Sequence, residues 1–385
     1  MAPLEPWEKV ILDQEAFSET VHGQIDCIAC HQGIQDPEKE TAHTDLIPDP
    51  SEDAQKYCGD CHPDVTDAAV NSLHNTQEGY WTVLESRGVP RNHPATQEMF
   101  SNHCSSCHAS CGDCHVSQPN SVGGGLIEGH VFQREPSMTR NCTACHGSRV
   151  GNEFLGKHEG LKADVHFRQG RMTCVDCHNG HDMHGQPENC QECHPGPEKA
   201  EIPPPDHRYQ GLQSPSCESC HAKVTSGQDD VLMHNRHEGK LSCQVCHSVS
   251  YTSCDGCHVS LSEETGNPIF ATQGSYMGFF IGKNPRQSLS RPYEYVPLRH
   301  VPIAETSFDF YEKGLVSNFS GKQTWVYTTP HNIQRNTPQT ESCGACHGNP
   351  DVFLTAEDVS PEELEANRDV IVDEVPGDPF AENEE

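Results

Sequence analysis

The chain is short of the material from which ordinary cores are built. Only 33% of its 385 residues are hydrophobic and 6% aromatic, and the mean hydropathy is -0.70. Gly contributes 31 residues and Pro 28. A chain of this make-up standing alone falls on the disordered side of the globular boundary, so something besides its own side chains must complete its interior. No apolar run approaches the ~20 residues of a membrane span; the densest short patch is Met277-Gly-Phe-Phe-Ile281. Basic residues are scarce as well: 25 Lys and Arg stand against 57 Asp and Glu, a formal charge of -32. That balance excludes nucleic acid and anionic membrane surfaces as partners, and favours basic proteins, cationic minerals and metal ions.

Two residue types are in excess, 22 Cys and 26 His, and they occur together. The stretch His103-Cys-Ser-Ser-Cys-His-Ala-Ser-Cys-Gly-Asp-Cys-His115 holds two Cys-x-x-Cys-His units, the first of Cys104, Cys107 and His108, the second of Cys111, Cys114 and His115. The unit recurs as Cys27, Cys30 and His31; as Cys58, Cys61 and His62; as Cys142, Cys145 and His146; and as Cys174, Cys177 and His178. It continues as Cys190, Cys193 and His194; as Cys217, Cys220 and His221; and as Cys243, Cys246 and His247. The last two are Cys254, Cys257 and His258, and Cys343, Cys346 and His347. Eleven units of two use all 22 cysteines and leave none for a lipid anchor.

Zinc sites, thioredoxin-like redox pairs and disulfide frameworks also use paired cysteines, but none requires His directly after the second Cys. Cys-x-x-Cys-His reads as a c-type haem attachment, in which the two sulfurs form thioethers and the His binds the iron from one side. Eleven covalently bound haem c groups are therefore expected. With about 35 residues per haem, no haem can have a protein core of its own. The porphyrins supply the missing apolar material. The expected fold is a multihaem cytochrome c, with little regular secondary structure: loops and short helices wrapped around a haem stack, and minor β content in 259–342. A ferric haem with two axial His and two ionised propionates adds about -1, so the loaded protein is more acidic still. The first residues, Met1-Ala-Pro-Leu-Glu-Pro6, lack a secretory leader. Because thioethers are made outside the cytoplasm, the chain is expected to be exported.

Residues 1–26 form an N-terminal arm, and 27–258 a haem-binding region with ten units. Within it, Tyr80-Trp81-Thr-Val-Leu84 reads as a short strand or helix that packs on a porphyrin face. Two tight nodes stand out, with first cysteines seven residues apart at Cys104 and Cys111, and eleven apart at Cys243 and Cys254. Even a fully extended chain covers only about 23–25 Å in seven residues, so the macrocycles of such a node are close neighbours. Pro203-Pro-Pro205 reads as a rigid elbow. Residues 259–342 are a haem-poor aromatic segment, a strap or docking surface, in which Thr324-Trp-Val-Tyr-Thr328 reads as a strand. The eleventh unit occupies 343–350. Residues 351–385 form an acidic tail, with 13 carboxylates against Arg368, that reads largely as solvated chain; Ser360-Pro-Glu-Glu-Leu-Glu-Ala366 can begin a short helix.

Eleven His lie inside the units as proximal iron ligands, leaving fifteen for the opposite faces. They are His22, His43, His74, His93, His103, His130, His158, His166, His181, His184, His207, His234, His237, His300 and His331. Four are spare if each haem takes one. The close pairs His181 with His184 and His234 with His237 are each expected to hold one spare, and His103 to ligate a neighbouring haem rather than its own. His–His ligation lacks the Met that raises potential, so low potentials follow.

With these eleven units the chain resembles the multihaem c-type cytochromes over roughly residues 22–350. Within them it is most similar to the electron-conducting cytochromes of metal-respiring and other anaerobic microbes. The resemblance implies tightly packed bis-His haems, long-range electron transfer rather than catalysis, and an extracytoplasmic, preferentially extracellular, location. It implies redox proteins or extracellular acceptors as partners, or further copies of the chain in a filament. The multihaem hydroxylamine oxidoreductases and the tetrathionate and nitrite reductases form the enzymatic alternative, which needs an open iron position. Every unit here ends in His rather than Lys, which argues against catalysis; His300 or His331 would be acid–base groups if it occurred.

Overall fold

The computed structural model describes residues 4–185, 215–225, 229–237, 239–287, 292–377 and 379, with the backbone alone at 181–182 and 273–276. The seventh unit, formed by Cys190, Cys193 and His194, lies outside the described residues. So do the elbow Pro203–Pro205, His207 and the side chain of His181.

The chain folds into short helices, two small antiparallel sheets and much loop. Among the described residues no helix exceeds the ten residues of Pro94–His103, and none is long and apolar enough to cross a membrane. Tyr80–Leu84 lies in the helix Glu78–Ser86, which turns Trp81 and Leu84 inward three residues apart. Trp81 stacks on Phe100 of the helix Pro94–His103, with ring centroids 4.1 Å apart. The second helix starts with Pro94, where the missing N–H costs no hydrogen bond.

Strands β1 (Ser253–Leu261) and β2 (Pro268–Met277) pair antiparallel, as do β3 (Phe279–Lys283), β4 (Tyr295–His300) and β5 (Trp325–Tyr327) in the order β3-β4-β5. The aromatic segment folds back on its own chain: Phe308, Leu315, Val316 and Phe319 join Trp81, Leu84, Met99 and Phe100 in one core. A second core holds Val296 and Leu298 of β4, Trp325 of β5, and Leu354, Val359, Val370 and Ile371.

That second core corrects the reading of the acidic tail as mostly solvated chain. Leu354 N–H donates to Ile281 O (2.9 Å) and Lys283 N–H to Val370 O (3.0 Å), so the tail lies along β3. Asn367, fully buried, accepts from the N–H groups of Thr324 and Trp325 at 3.0 and 2.9 Å. The carboxylates of Glu357, Asp358, Asp369 and Asp373 point outward. Their number hides the alternating apolar residues that carry the packing.

The opposite end of the chain differs. Among the described residues up to 70, Thr66 alone is buried, while Trp7, Val10, Ile11, Val21, Ile25 and Ile28 are exposed.

Candidate functional site

Most of the units are single helical turns. Cys27–His31, Cys111–His115 and Cys243–His247 are α-helical, and Ser105–Cys107, Cys174–Asp176 and Cys343–Ala345 are 3-10 turns. Positions i, i+3 and i+4 share one helix face, so one turn presents both sulfurs and the imidazole together. The second unit is a hydrogen-bonded turn at the end of the helix Ala54–Tyr57, in which the N–H groups of Cys61 and His62 both donate to Cys58 O, at 3.2 and 2.9 Å. Cys61 is exposed there and Cys58 half-buried. Local chemistry starts several turns: Ser110 with Asp113, and Thr173 with Asp176, form reciprocal capping boxes.

The tenth unit is the exception, lying in β1. Positions i and i+3 of a regular strand face opposite ways. The strand is not regular there: the register slips by one between Asp255 and Cys257, two steps of β1 facing three of β2, with Gly256 at φ +64°. None of the 20 described cysteines is in a disulfide; Cys190 and Cys193 are outside that set, as is His194 beside them.

Eight unit histidines face a histidine from elsewhere in the chain. His22 faces His62 at 6.2 Å between ring centroids, His130 faces His31 at 5.8 Å, and His74 faces His146 at 6.2 Å. His184 faces His115 at 6.0 Å, His331 faces His178 at 6.4 Å, and His166 faces His221 at 6.1 Å. His234 faces His247 at 6.0 Å, and His237 faces His347 at 6.2 Å. A metal–imidazole bond is about 2 Å and its nitrogen lies about 1.1 Å from the ring centre, so two imidazoles trans across one metal stand about 6 Å apart. Both members of the close pair His234 and His237 are engaged, each with a different unit; neither is spare.

Eight of these rings are anchored through Nδ1. The Nδ1 atoms of His31, His115, His237, His247, His331 and His347 donate to the carbonyls of Ile47, Gln133, Met233, Gln334, Thr329 and Gly377 at 2.7–3.1 Å. His166 Nδ1 bonds to Asp164 (2.9 Å) and His234 Nδ1 to Asp229 (2.7 Å). A carbonyl accepts only from N–H, so the neutral ring keeps its proton on Nδ1 and its Nε2 lone pair faces inward. Burial lowers the pKa of His22, His130, His146 and His247, and the facing imidazole pushes the same way. Each change favours the neutral ring, the form that binds metal. His130 is held at φ +78°, a backbone conformation a non-glycine residue rarely adopts.

The remaining candidates are placed otherwise. His300 has both nitrogens on carboxylates, Nδ1 on Asp255 and Nε2 on Glu363, each at 3.2 Å. Burial opposes its protonation, yet the two carboxylates outweigh that and raise its pKa to about 9. His103 Nε2 bonds to Tyr311 Oη (2.9 Å), and its ring packs on Phe270. His158 stacks on Tyr251 at 4.2 Å. His93 lies beside Glu312, and His43 is exposed. Neither His108 nor His258 faces an imidazole of the described residues; His108 Nε2 bonds instead to Asn75 Oδ1 (3.0 Å).

The units also have an order in space. Cys58 of the second feels both Cys30 of the first and Cys111 of the fourth, and Ser51 Oγ accepts from Gly112 N–H at 2.9 Å. Asn141 beside the fifth donates to Asp113 O of the fourth at 2.6 Å. Cys142 lies beside Cys174 and Cys217 beside Cys243, and Cys177 lies near Cys220. Cys246 and Cys346 share one apolar cluster. Among the described units the run is thus first, second, fourth, fifth, sixth, eighth, ninth, eleventh. The third stands beside it, with Cys107 near Cys145 of the fifth.

Asp164, Asp229 and Asn75 are partners that the sequence pattern did not single out, although Asp164-x-His166 and Asp229-x-x-x-x-His234 are local spacings that a search for second partners of His would find. Comparison with known proteins adds no family: no protein-family profile, curated protein or solved structure matches the chain.

Proposed function

We propose that the chain binds eleven haem c groups and conducts electrons along them over long distance, as an extracytoplasmic and preferentially extracellular carrier. The observation that carries this reading is the set of eight imidazole pairs 5.8–6.4 Å apart, each joining one Cys-x-x-Cys-His unit to one distant His. Among the described residues, no three His, Cys, Asp or Glu gather as a metal cluster. Two trans imidazoles are what a protein adds to an iron whose other four donors are porphyrin nitrogens. The unit cysteines would hold each porphyrin covalently, and its exposed apolar neighbours, such as Ile25 and Ile28, would cover its face. Porphyrin iron supplies one-electron exchange between ferric and ferrous states.

The residues of the chain fix distance and potential. His–His ligation favours low potentials, and the Nδ1 anchors raise the basicity of the rings that have them. The strongly acidic surface suits basic redox proteins or cationic acceptors. The exposed Trp7, Val10 and Ile11 of the N-terminal arm, at 64, 66 and 53% exposure, suit contact with a further copy in a filament. Pyridine haemochrome assay with intact-mass measurement tests the reading; eleven haems per chain are expected, and metal-free or zinc-loaded protein from a haem-c-competent host would end it. Negative-stain images showing only monomers would remove the filament.

A second reading, a multihaem oxidoreductase with one open iron, is favoured by one observation: His108 bonds to Asn75 and, among the described residues, faces no imidazole. A high-spin ferric signal, together with carbon monoxide uptake by the reduced protein well below one per haem, is its signature. Fully low-spin spectra remove it.

A further inference from the structure

In a chain with 57 acidic residues, one buried spot carries more positive than negative charge. Arg299, at the end of β4, is 2% exposed, and Glu153 is 1% exposed. Glu153 is fully used: Oε1 accepts from the Tyr251 hydroxyl (2.5 Å) and from Arg299 Nη1 (2.9 Å), and Oε2 from His331 N–H (2.7 Å). Arg299 is not. Its Nε and Nη2 are buried without any hydrogen-bond partner. These two atoms form one edge of the guanidinium, the side-on fork whose parallel N–H groups match the two oxygens of a carboxylate. The fork cannot rotate away, because the guanidinium lies over the rings of Tyr251 (5.1 Å) and Phe279 (5.2 Å).

Arg149 adds a second cation. Burial lowers its pKa and the nearby Arg299 lowers it further, with Glu153 and Asp255 acting against them. Asp255 is itself bonded to His300. Arg149 thus stands close enough to feel both Arg299 and Glu153, whose oxygens are already taken. A buried donor pair without an acceptor is costly, more so when it is charged, so such a fork persists where an anion meets it.

We propose that Arg299 and Arg149 form a buried receptor for a carboxylate, and that a haem propionate supplies it. The placement fits that source. Arg149 follows His146 by three residues, Glu153 holds the backbone of His331 opposite His178, and Arg149 acts on Cys257 of the tenth unit. Fifth, sixth and tenth units therefore converge on this spot. The inference rests on the haem reading and goes beyond it, by giving the porphyrin carboxylates a named partner. A cation at a propionate favours the ferrous state, which carries one positive charge less, so the receptor raises the potential of the haem it holds.

The test compares holoprotein with Arg299→Gln, Arg299→Lys and Arg149→Gln by optical redox titration, with haem content assayed separately. Full haem content with about a tenfold lower ferrous-to-ferric ratio for one or two of the eleven haems at fixed potential, 59 mV for a one-electron couple, is expected for both Gln variants. Arg299→Lys is expected to recover part of the shift, keeping charge but not the fork. Arg149 is only partly buried, so its variant reports even if Arg299→Gln fails to fold. Unchanged titrations at full haem content overturn the receptor while the haem reading stands; absence of haem ends the haem reading itself. Acetate added to the wild type separates the sources. No response is expected for a tethered propionate, whereas a potential that moves with acetate and stops moving in Arg299→Gln assigns the site to a free carboxylate and overturns the propionate.

Discussion

His178 and His331 hold their rings 6.4 Å apart and 24° from parallel, although 153 positions separate them in the chain. His178 belongs to a local Cys-x-x-Cys turn. His331 is brought to it by the loop after β5, where its N–H is tied to buried Glu153 and its Nδ1 to Thr329 O. The Cys-x-x-Cys-His turn is thus settled within five residues, and the imidazole that faces it by long-range packing.

On the proposed haem reading, replacing His331 by Gly removes one imidazole and none of the attachment cysteines. Haem content is expected to stay at eleven, with one haem becoming high-spin by electron paramagnetic resonance and returning to low-spin when imidazole is added. His300→Gln, by contrast, is expected to leave the ligation spectrum unchanged, because both of its nitrogens serve carboxylates.

His300 also makes stability depend on pH. Its folded pKa of about 9 lies above the ordinary value of 6.5, so its contribution is fully present below about pH 6.5 and is lost as pH rises through 9. Thermal melts of the wild type are expected to fall over that window by the equivalent of about 1–3 kcal/mol. In Glu363→Gln the fall is expected to be smaller, since one of the two carboxylates that hold the proton is gone. A parallel fall in both proteins would assign it to another group.

Asp164, 2% exposed, accepts from His166 N and Nδ1 through Oδ1 and from Ile333 N–H through Oδ2. Asp164→Asn turns one acceptor into a donor facing an N–H, at a cost of about 1–3 kcal/mol in denaturant unfolding. It also makes His166 a poorer electron donor, so the potential of the eighth haem is expected to rise in a redox titration.

The order of units predicts unequal effects on through-transfer. Removing the third attachment, Cys104→Ala with Cys107→Ala, is expected to leave end-to-end reduction by stopped flow within about twofold, because that unit stands beside the run. His74→Met, opposite His146 in the run, is expected to raise one potential and slow transfer by about tenfold for each 59 mV of added depth.

Much of the site is legible in the residues alone. His follows all eleven second cysteines, and the capping residues Ser110 and Thr173 sit where a one-turn helix needs them. The strand around Trp325 and the short helix Leu364–Asn367 are legible from alternation and from Ser360-Pro. The tail is not. Its 13 carboxylates dominate composition, while Leu354, Val370 and Ile371 become core residues only once β3 and β4 offer a face to cover. Nor is His300 legible as a carboxylate-bound residue, because Asp255 and Glu363 lie 45 and 63 positions away.

The sequence by itself determined the number of attachment units, their local turn geometry and the acidity of the surface, because each depends on residues within one turn or on composition. Only the tertiary structure decided which histidine faces which, the order in which the units stand, and the orphaned fork of Arg299. Those depend on where distant segments close on one another, and that is set by the packing of β4, Trp325 and the tail. The thirteen residues from His103 to His115 show the division. Their spacing makes two neighbouring attachments, but only packing places His115 in the run opposite His184 and leaves His108 beside it against Asn75.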